Sequence, residues 1–199
     1  MAKDIIPNDS RYVPLTQQPY CCVPACIQMV MLRHKMPLIS AELMGNRMGL
    51  VVPKTELNLF WSAKTGPRPK TGYGVRLGKK GYEPDAVLKE LGIHLKMNLF
   101  LIDKFKDLGQ VEKYLGSVSK TDKDVLVCFD SGVLFGGAGE RTGHVCVLDK
   151  IFPERNEARI IDPGYRAPKW RLAKIDKLFE AMKCHGKASY AGFWEIVPA

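Results

Sequence analysis

The stretch Gln18-Pro19-Tyr20-Cys21-Cys22-Val23-Pro24-Ala25-Cys26-Ile27-Gln28-Met29-Val30-Met31 decides how the chain is read, because three of its six cysteines crowd into it. Upstream, Pro7, Pro14 and Pro19 discourage helix, so residues 1 to 19 read as an extended lead-in. A helix then runs from about Pro24 to Lys35, with Pro24 in the first turn, where its missing N–H costs nothing. That helix is apolar over much of its circumference, the pattern of an element buried in the middle of a fold. A cysteine at such a helix start meets unpaired N–H groups and the positive end of the dipole, which favour the reactive thiolate. Cys22 falls just before the first turn. Cys21 is one residue further out, and Cys26 is a full turn inside, where its sulfur faces neighbouring side chains.

A thiolate nucleophile needs a base beside it, and the chain offers four histidines. His34 closes a basic helix end (Arg33-His34-Lys35), where a cation offsets the dipole at the surface. His94 opens a strand next to Lys96, and His185 follows Cys184 in a turn. His144 differs, since it begins an apolar strand directly after a glycine-rich loop and so projects from a rigid edge. Asp162 ends the next strand, eighteen residues on, beyond the turn Pro153-Glu154-Arg155-Asn156-Glu157. In an antiparallel pair the start of one strand lies beside the end of the next, so His144 and Asp162 are expected to be neighbours. A carboxylate there fixes the imidazole tautomer and stabilises the imidazolium. The Cys22 N–H and a side-chain amide from Gln17 or Gln18 are the expected oxyanion donors. Each feature alone has a plainer explanation: a cap-region cysteine, an exposed polar histidine, an Asp-Pro-Gly turn. Their order along the chain favours the catalytic reading.

The remaining pattern sets the fold class. Ser40 is a good N-cap for a second helix over Ala41–Gly49. Residues 62 to 83, rich in Gly, Pro, Lys and Arg, read as a long basic loop. A short helix follows at Pro84–Gly92, a strand at His94–Ile102 and a helix at Phe105–Val118. Asp124–Asp130, His144–Phe152 and Ala158–Asp162 read as strands, with a flexible turn region over Ser131–Gly143. Lys169–Lys183 reads as one amphipathic helix whose apolar face is Leu172, Ile175, Leu178, Phe179 and Met182, and Ala191–Val197 as a last strand. Helices lead and an antiparallel sheet follows, which is α+β.

Composition narrows the function. With 199 residues, 46% hydrophobic and 26% charged, the chain suits one globular domain spanning 1–199. No stretch approaches the ~20 apolar residues of a membrane span, and the N-terminus lacks the apolar core of a signal peptide, so a cytoplasmic site is expected. The cysteine spacing is not that of a disulfide scaffold. Cys128 and Cys146 sit in apolar runs as small buried hydrophobes. Cys22 and Cys26 with His144 lack the Cys-x-x-Cys pairing of a zinc site, so no metal or other cofactor is expected. The net charge of +9 fits an acidic substrate or plain solubility; no nucleic-acid motif accompanies it.

Residues 18–31, Thr142-Gly143-His144-Val145-Cys146-Val147-Leu148-Asp149-Lys150-Ile151 and Arg159-Ile160-Ile161-Asp162-Pro163-Gly164 together resemble the papain-like cysteine peptidases. In particular, the chain is similar to the bacteriocin-processing, double-glycine-leader peptidases (the C39-like group) and their stand-alone relatives. That family carries an upstream Gln, a Cys-Gly-Pro-Ala or Cys-Val-Pro-Ala helix start, a Gly-His opening one strand and an Asp-Pro ending the next. The resemblance implies a papain-like α+β fold with Cys22 as nucleophile, His144 as general base and acid, and Asp162 as orienting residue. The chain departs from it at Cys21, where the family often has a polar residue such as Asp. Gln17 and Gln18 stand five and four residues before Cys22, where papain-like enzymes commonly use six; Gln17 is preferred. Residues 45 to 120 carry no resemblance. The implied activity is a cysteine peptidase or amidase acting on a peptide or protein substrate through an acyl-enzyme. Acyl transfer to an amine or thiol is the alternative, and a non-catalytic binding module the reading from another class.

Overall fold

The computed structural model describes residues 7–66, 73–136, 142–165 and 169–199. Among these, the elements in chain order are α1 (Cys22–Arg33), α2 (Ala41–Arg47), β1 (Val51–Val52), β2 (Lys64–Thr65), α3 (Pro84–Glu90), β3 (Leu95–Leu101), α4 (Leu108–Val118), β4 (Asp124–Asp130), α5 (Ser131–Phe135), β5 (Gly143–Phe152), β6 (Glu157–Ile161), β7 (Trp170–Lys174), α6 (Ile175–His185) and β8 (Gly192–Pro198). Strands β3 to β8 form one antiparallel sheet in the order β3-β8-β4-β5-β6-β7. The α+β expectation holds, and so does the placement of a helix ahead of an antiparallel sheet.

Both faces of the sheet are covered, which is why β4 is buried at every position and reads as an unbroken apolar run between two aspartates. Leu126 and Cys128 of β4, Val145 and Val147 of β5 and Trp194 and Ile196 of β8 pack with α1, where Ile27, Met29 and Val30 are wholly buried. The alternate residues Val125, Val127, Phe129, Cys146, Leu148 and Phe193 pack with α4 and α6 on the other face. Capping sets the helix starts. Ser40 Oγ accepts from Leu43 N at 3.1 Å, and Asp107 Oδ1 from Gln110 N at 2.9 Å.

Three expectations are corrected. Lys169–Lys183 is not one helix: Trp170–Lys174 is the edge strand β7, paired with β6, and only Ile175–His185 is helical. Ile175, Leu178, Phe179 and Met182 are buried as read, whereas Leu172 is exposed on the strand. Nothing local marks the segment as a strand; pairing with β6 decides for it. The basic loop 62–83 contains β2, paired in parallel with β1, while its residues 67–72 lie outside the described residues. The turn region 131–143 opens with the short helix α5, capped by Asp130 accepting from Val133 N at 3.1 Å; its residues 137–141 lie outside the described residues.

The C-terminal end of α1 is clamped to the start of β4. Asp124 is fully buried and accepts from Tyr12 Oη at 2.6 Å and Arg33 Nη1 at 2.6 Å, with His34 Nε2 at 2.7 Å. His34 is therefore a partner of a buried carboxylate rather than a surface cap. Removing one side of such a cluster strands the others without a counter-charge. Asp124→Ala should lower the unfolding free energy by about 3 kcal/mol, read from the urea midpoint.

Candidate active site

The crowded cysteines are sorted by the first turn of α1. Tyr20 takes a left-handed backbone conformation (φ +63°), and Cys21 N donates to Gln18 O at 3.0 Å, which turns the lead-in into the helix. The first helical bond runs from Ala25 N to Cys21 O at 3.1 Å. Cys22 is thus the first helical residue, two residues earlier than the expected start, and the N–H groups of Cys22 and Val23 have no acceptor within the helix. Cys21 is buried with Leu50, Val52 and Phe60. Burial first, then the neighbouring Cys22 and Glu42, push its thiol up to about 12. Cys26 is buried as well, and its Sγ donates to Val145 O at 3.3 Å. Cys22 is half-exposed and lines a cleft.

His144 lines the same cleft from the start of β5. The register Val147↔Ile161 sets the end of β6 beside the start of β5, and His144 Nε2 meets Asp162 Oδ1 at 2.7 Å. The hairpin argument made from sequence therefore holds. Burial alone would depress the imidazolium, but the Cys146 and Cys22 sulfurs and the Asp162 carboxylate outweigh it, and the His144 pKa is raised well above the usual imidazole range. Burial also works against the Asp162 anion. Hydrogen bonds from His144 and the Gly164 N–H (2.8 Å) and an ion pair with Arg171 (3.1 Å) more than offset it, and hold its pKa at about 2.

Gln17, not Gln18, joins the group. Gln17 N donates to Pro163 O at 2.8 Å, tying the lead-in to the Asp162 loop. It lines the cleft with Cys22 and His144, and its Oε1 is buried without a partner among the described residues. Gln18 is exposed.

Three residues escaped sequence reasoning. Arg171 bonds Asp162 Oδ2 and stacks on the Phe135 ring, 3.3 Å from its centroid; its role depends on β7 being a strand. Cys146, read as a plain hydrophobe, lies two residues along β5 from His144, on the same face, with its thiol pushed up to about 11 by burial despite the nearby imidazole. The two-residue spacing was the signal for it. His185 lies against the Gly143 backbone, where any Cβ would collide with its ring, which explains glycine before His144.

The cleft has two limbs meeting at Cys22 and His144. One, of about 320 Å³, is walled by Tyr73, Arg76, Lys79, His185 and Tyr190. The other, of about 430 Å³, runs past Gln17, Tyr20, Glu56 and Tyr165. Ligand atoms of His144, Cys146 and Asp162 lie within 4.8 Å of one another, a grouping that suggests a metal. The facing His144 and Asp162 atoms are only 2.7 Å apart, however, whereas two ligands held at about 2.0–2.1 Å from a tetrahedral ion stand about 3.3 Å apart. This arrangement suits proton handling better than coordination.

No protein-family model and no curated protein sequence matches the chain. Among solved structures, it aligns with a C39-like peptidase from Bacillus anthracis over 94% of this chain and 95% of that one, at a TM-score of 0.53 and 15% identity. The chain shares the fold of that structure. It also aligns with the peptidase domain of Streptococcus ComA, a bifunctional ABC transporter involved in quorum sensing, over 96% and 98% of the two chains, at a TM-score of 0.48 and 14% identity.

Because Asp162 holds its charge down to about pH 2 in the fold against an ordinary value of 3.8, the unfolded chain takes up the proton first as pH falls. Its contribution is complete above the unfolded value and is lost as pH drops toward 2. The stability gap between the wild-type protein and Asp162→Asn, from urea melts, should shrink by about 1 kcal/mol between pH 5 and pH 3. Arg171→Met should flatten that change.

Proposed function

We propose that the chain is a cysteine peptidase in which Cys22 is the nucleophile, His144 the general base and acid, Asp162 the orienting carboxylate and Gln17 an oxyanion donor. The observation that carries this reading is the 2.7 Å His144–Asp162 hydrogen bond at the cleft where Cys22 opens α1. The imidazolium beside Cys22 stabilises a thiolate that attacks the scissile carbonyl carbon. The tetrahedral oxyanion is held by the Cys22 N–H and the Gln17 side-chain amide. His144 then protonates the leaving amine as the C–N bond breaks and the thioester forms. A water deprotonated by His144 hydrolyses that thioester and restores the thiol. These steps draw on the chain's own residues, with a peptide or protein as substrate. No helix among the described residues is long and apolar enough to cross a membrane. The six free cysteines suit a reducing compartment such as the cytoplasm.

Limiting iodoacetamide at pH 6, with the adduct mapped by mass spectrometry, should label Cys22 ahead of the exposed Cys184, and His144→Ala should erase that preference. Incubation with a proteome-derived peptide pool should yield new peptide termini. Cys22→Ala should abolish them, and Gln17→Ala should slow their formation about 100-fold with little effect on Cys22 alkylation. Labelling spread evenly over the accessible cysteines, or cleavage that survives Cys22→Ala, would sink the proposal.

A further inference from the structure

The two limbs of the cleft differ in charge. The limb on the His185 side carries Arg76 and Lys79, and among the described residues no Asp or Glu lines it. Neither cation has an ion-pair partner among the described residues, in contrast to Arg33, Arg159 and Arg171, each committed to a buried carboxylate. The opposite limb contains Glu56, held by the Tyr20 hydroxyl at 2.9 Å.

The cationic wall is built rather than incidental. Leu77, between the two cations, is buried and anchors the segment in the core. Arg76 N donates to Met48 O at 2.7 Å, Lys79 N to Arg76 O at 3.0 Å, Gly78 N to Tyr82 O at 2.8 Å and Tyr82 N to Lys79 O at 2.8 Å. Gly78 has a φ of +89°, and the Tyr190 ring fills the space a Cβ would need. A closed, anchored turn thus places both basic residues on the cleft wall, so little backbone ordering remains to be done on binding.

Two cations without counter-charges among the described residues, in a limb walled by aromatic rings, form a receptor for a carboxylate, which a guanidinium binds through paired hydrogen bonds. Glu56 would repel the same group from the other limb. We infer that Arg76 and Lys79 make this limb a subsite for a carboxylate on one side of the bond presented to Cys22, so that the substrates are peptides with an acidic side chain, or a chain-terminal carboxylate, at that position. The inference rests on the cysteine peptidase reading for its reaction, and its binding statement is tested without turnover.

The probes are N-acetylated, C-terminally amidated hexapeptides with a single Glu walked through an Ala/Gly background, and the same set with Gln. Each is titrated into Cys22→Ala protein and followed by amide NMR at Gly74, Leu77 and Gly143. One Glu position should bind about fivefold or more tighter than its Gln counterpart, with the advantage falling as salt rises. Arg76→Gln/Lys79→Gln should remove the advantage, and Arg76→Glu/Lys79→Glu should reverse it in favour of Lys peptides. Both side chains lie on the cleft wall without partners among the described residues, so the fold should be unchanged by circular dichroism. An Ala hexapeptide with a free C-terminal carboxylate tells the two sources apart: preference for it alone assigns the limb to chain ends, and preference for internal Glu assigns it to acidic side chains. Absence of any carboxylate preference, or a preference that persists in Arg76→Glu/Lys79→Glu, overturns the inference. Failure of peptide cleavage in the active protein would instead strike the peptidase reading and leave this binding result standing.

Discussion

A carboxylate that is almost wholly buried must be supplied with partners or it will not stay ionised, and the demands of Asp162 organise much of the surrounding architecture. His144 comes from the neighbouring strand of the β5–β6 hairpin, the Gly164 N–H from the turn that follows, and Arg171 from β7. Arg171 reaches Asp162 only because β7 runs antiparallel beside β6, so the edge strand contributes a charge as well as closing the sheet. Phe135 of α5 backs the guanidinium, holding it flat. The Asp162 loop also accepts from Gln17 N through Pro163 O. The segment leading into Cys22 is therefore hydrogen-bonded to the loop that carries Asp162, and Cys22, His144 and Gln17 share one frame.

The parts of this frame that were legible in sequence are those set by local rules. The start of α1 follows from Pro24 and the apolar run behind it, and the His144–Asp162 pairing follows from two strands joined by a short turn. Arg171 was hidden because Trp170–Lys174 carries lysine, arginine, leucine and alanine, all good helix formers, directly ahead of a true helix. Only pairing with Glu157–Ile161, a partner beyond the local sequence, makes it a strand. His34 was misjudged for a similar reason: its carboxylate, Asp124, lies ninety residues away. Gln17 could be preferred over Gln18 but not assigned, since the difference lies in which side chain faces the cleft after the turn at Tyr20.

The thiols illustrate how position divides one chemistry into several roles. Cys21 and Cys22 are adjacent, but successive residues entering a helix diverge by about 100°, so one is driven under α2 and the other into the cleft. The thiols of Cys21, Cys26, Cys128 and Cys146 are all raised chiefly by burial, which keeps them neutral. Cys146 lies beside His144 and Asp162, its sulfur within 4.8 Å of ligand atoms of both. With its thiol raised by burial, Cys146 adds no second anion there, leaving Asp162 as the fixed negative charge beside the imidazole.

The same division applies to the basic excess of the chain. Arginines that enter the interior are each consumed by a carboxylate: Arg33 by Asp124, Arg159 by Asp149 and Asp9, Arg171 by Asp162. These pairs contribute position rather than field, since their charges cancel at close range. Arg76 and Lys79 escape that cancellation, and low-dielectric walls strengthen the field of charges held in a cleft. A net charge of +9 spread evenly would bear on solubility alone. Two cations unpaired among the described residues stand on one side of the Cys22–His144 pair and Glu56 on the other, so the field across the cleft has a direction.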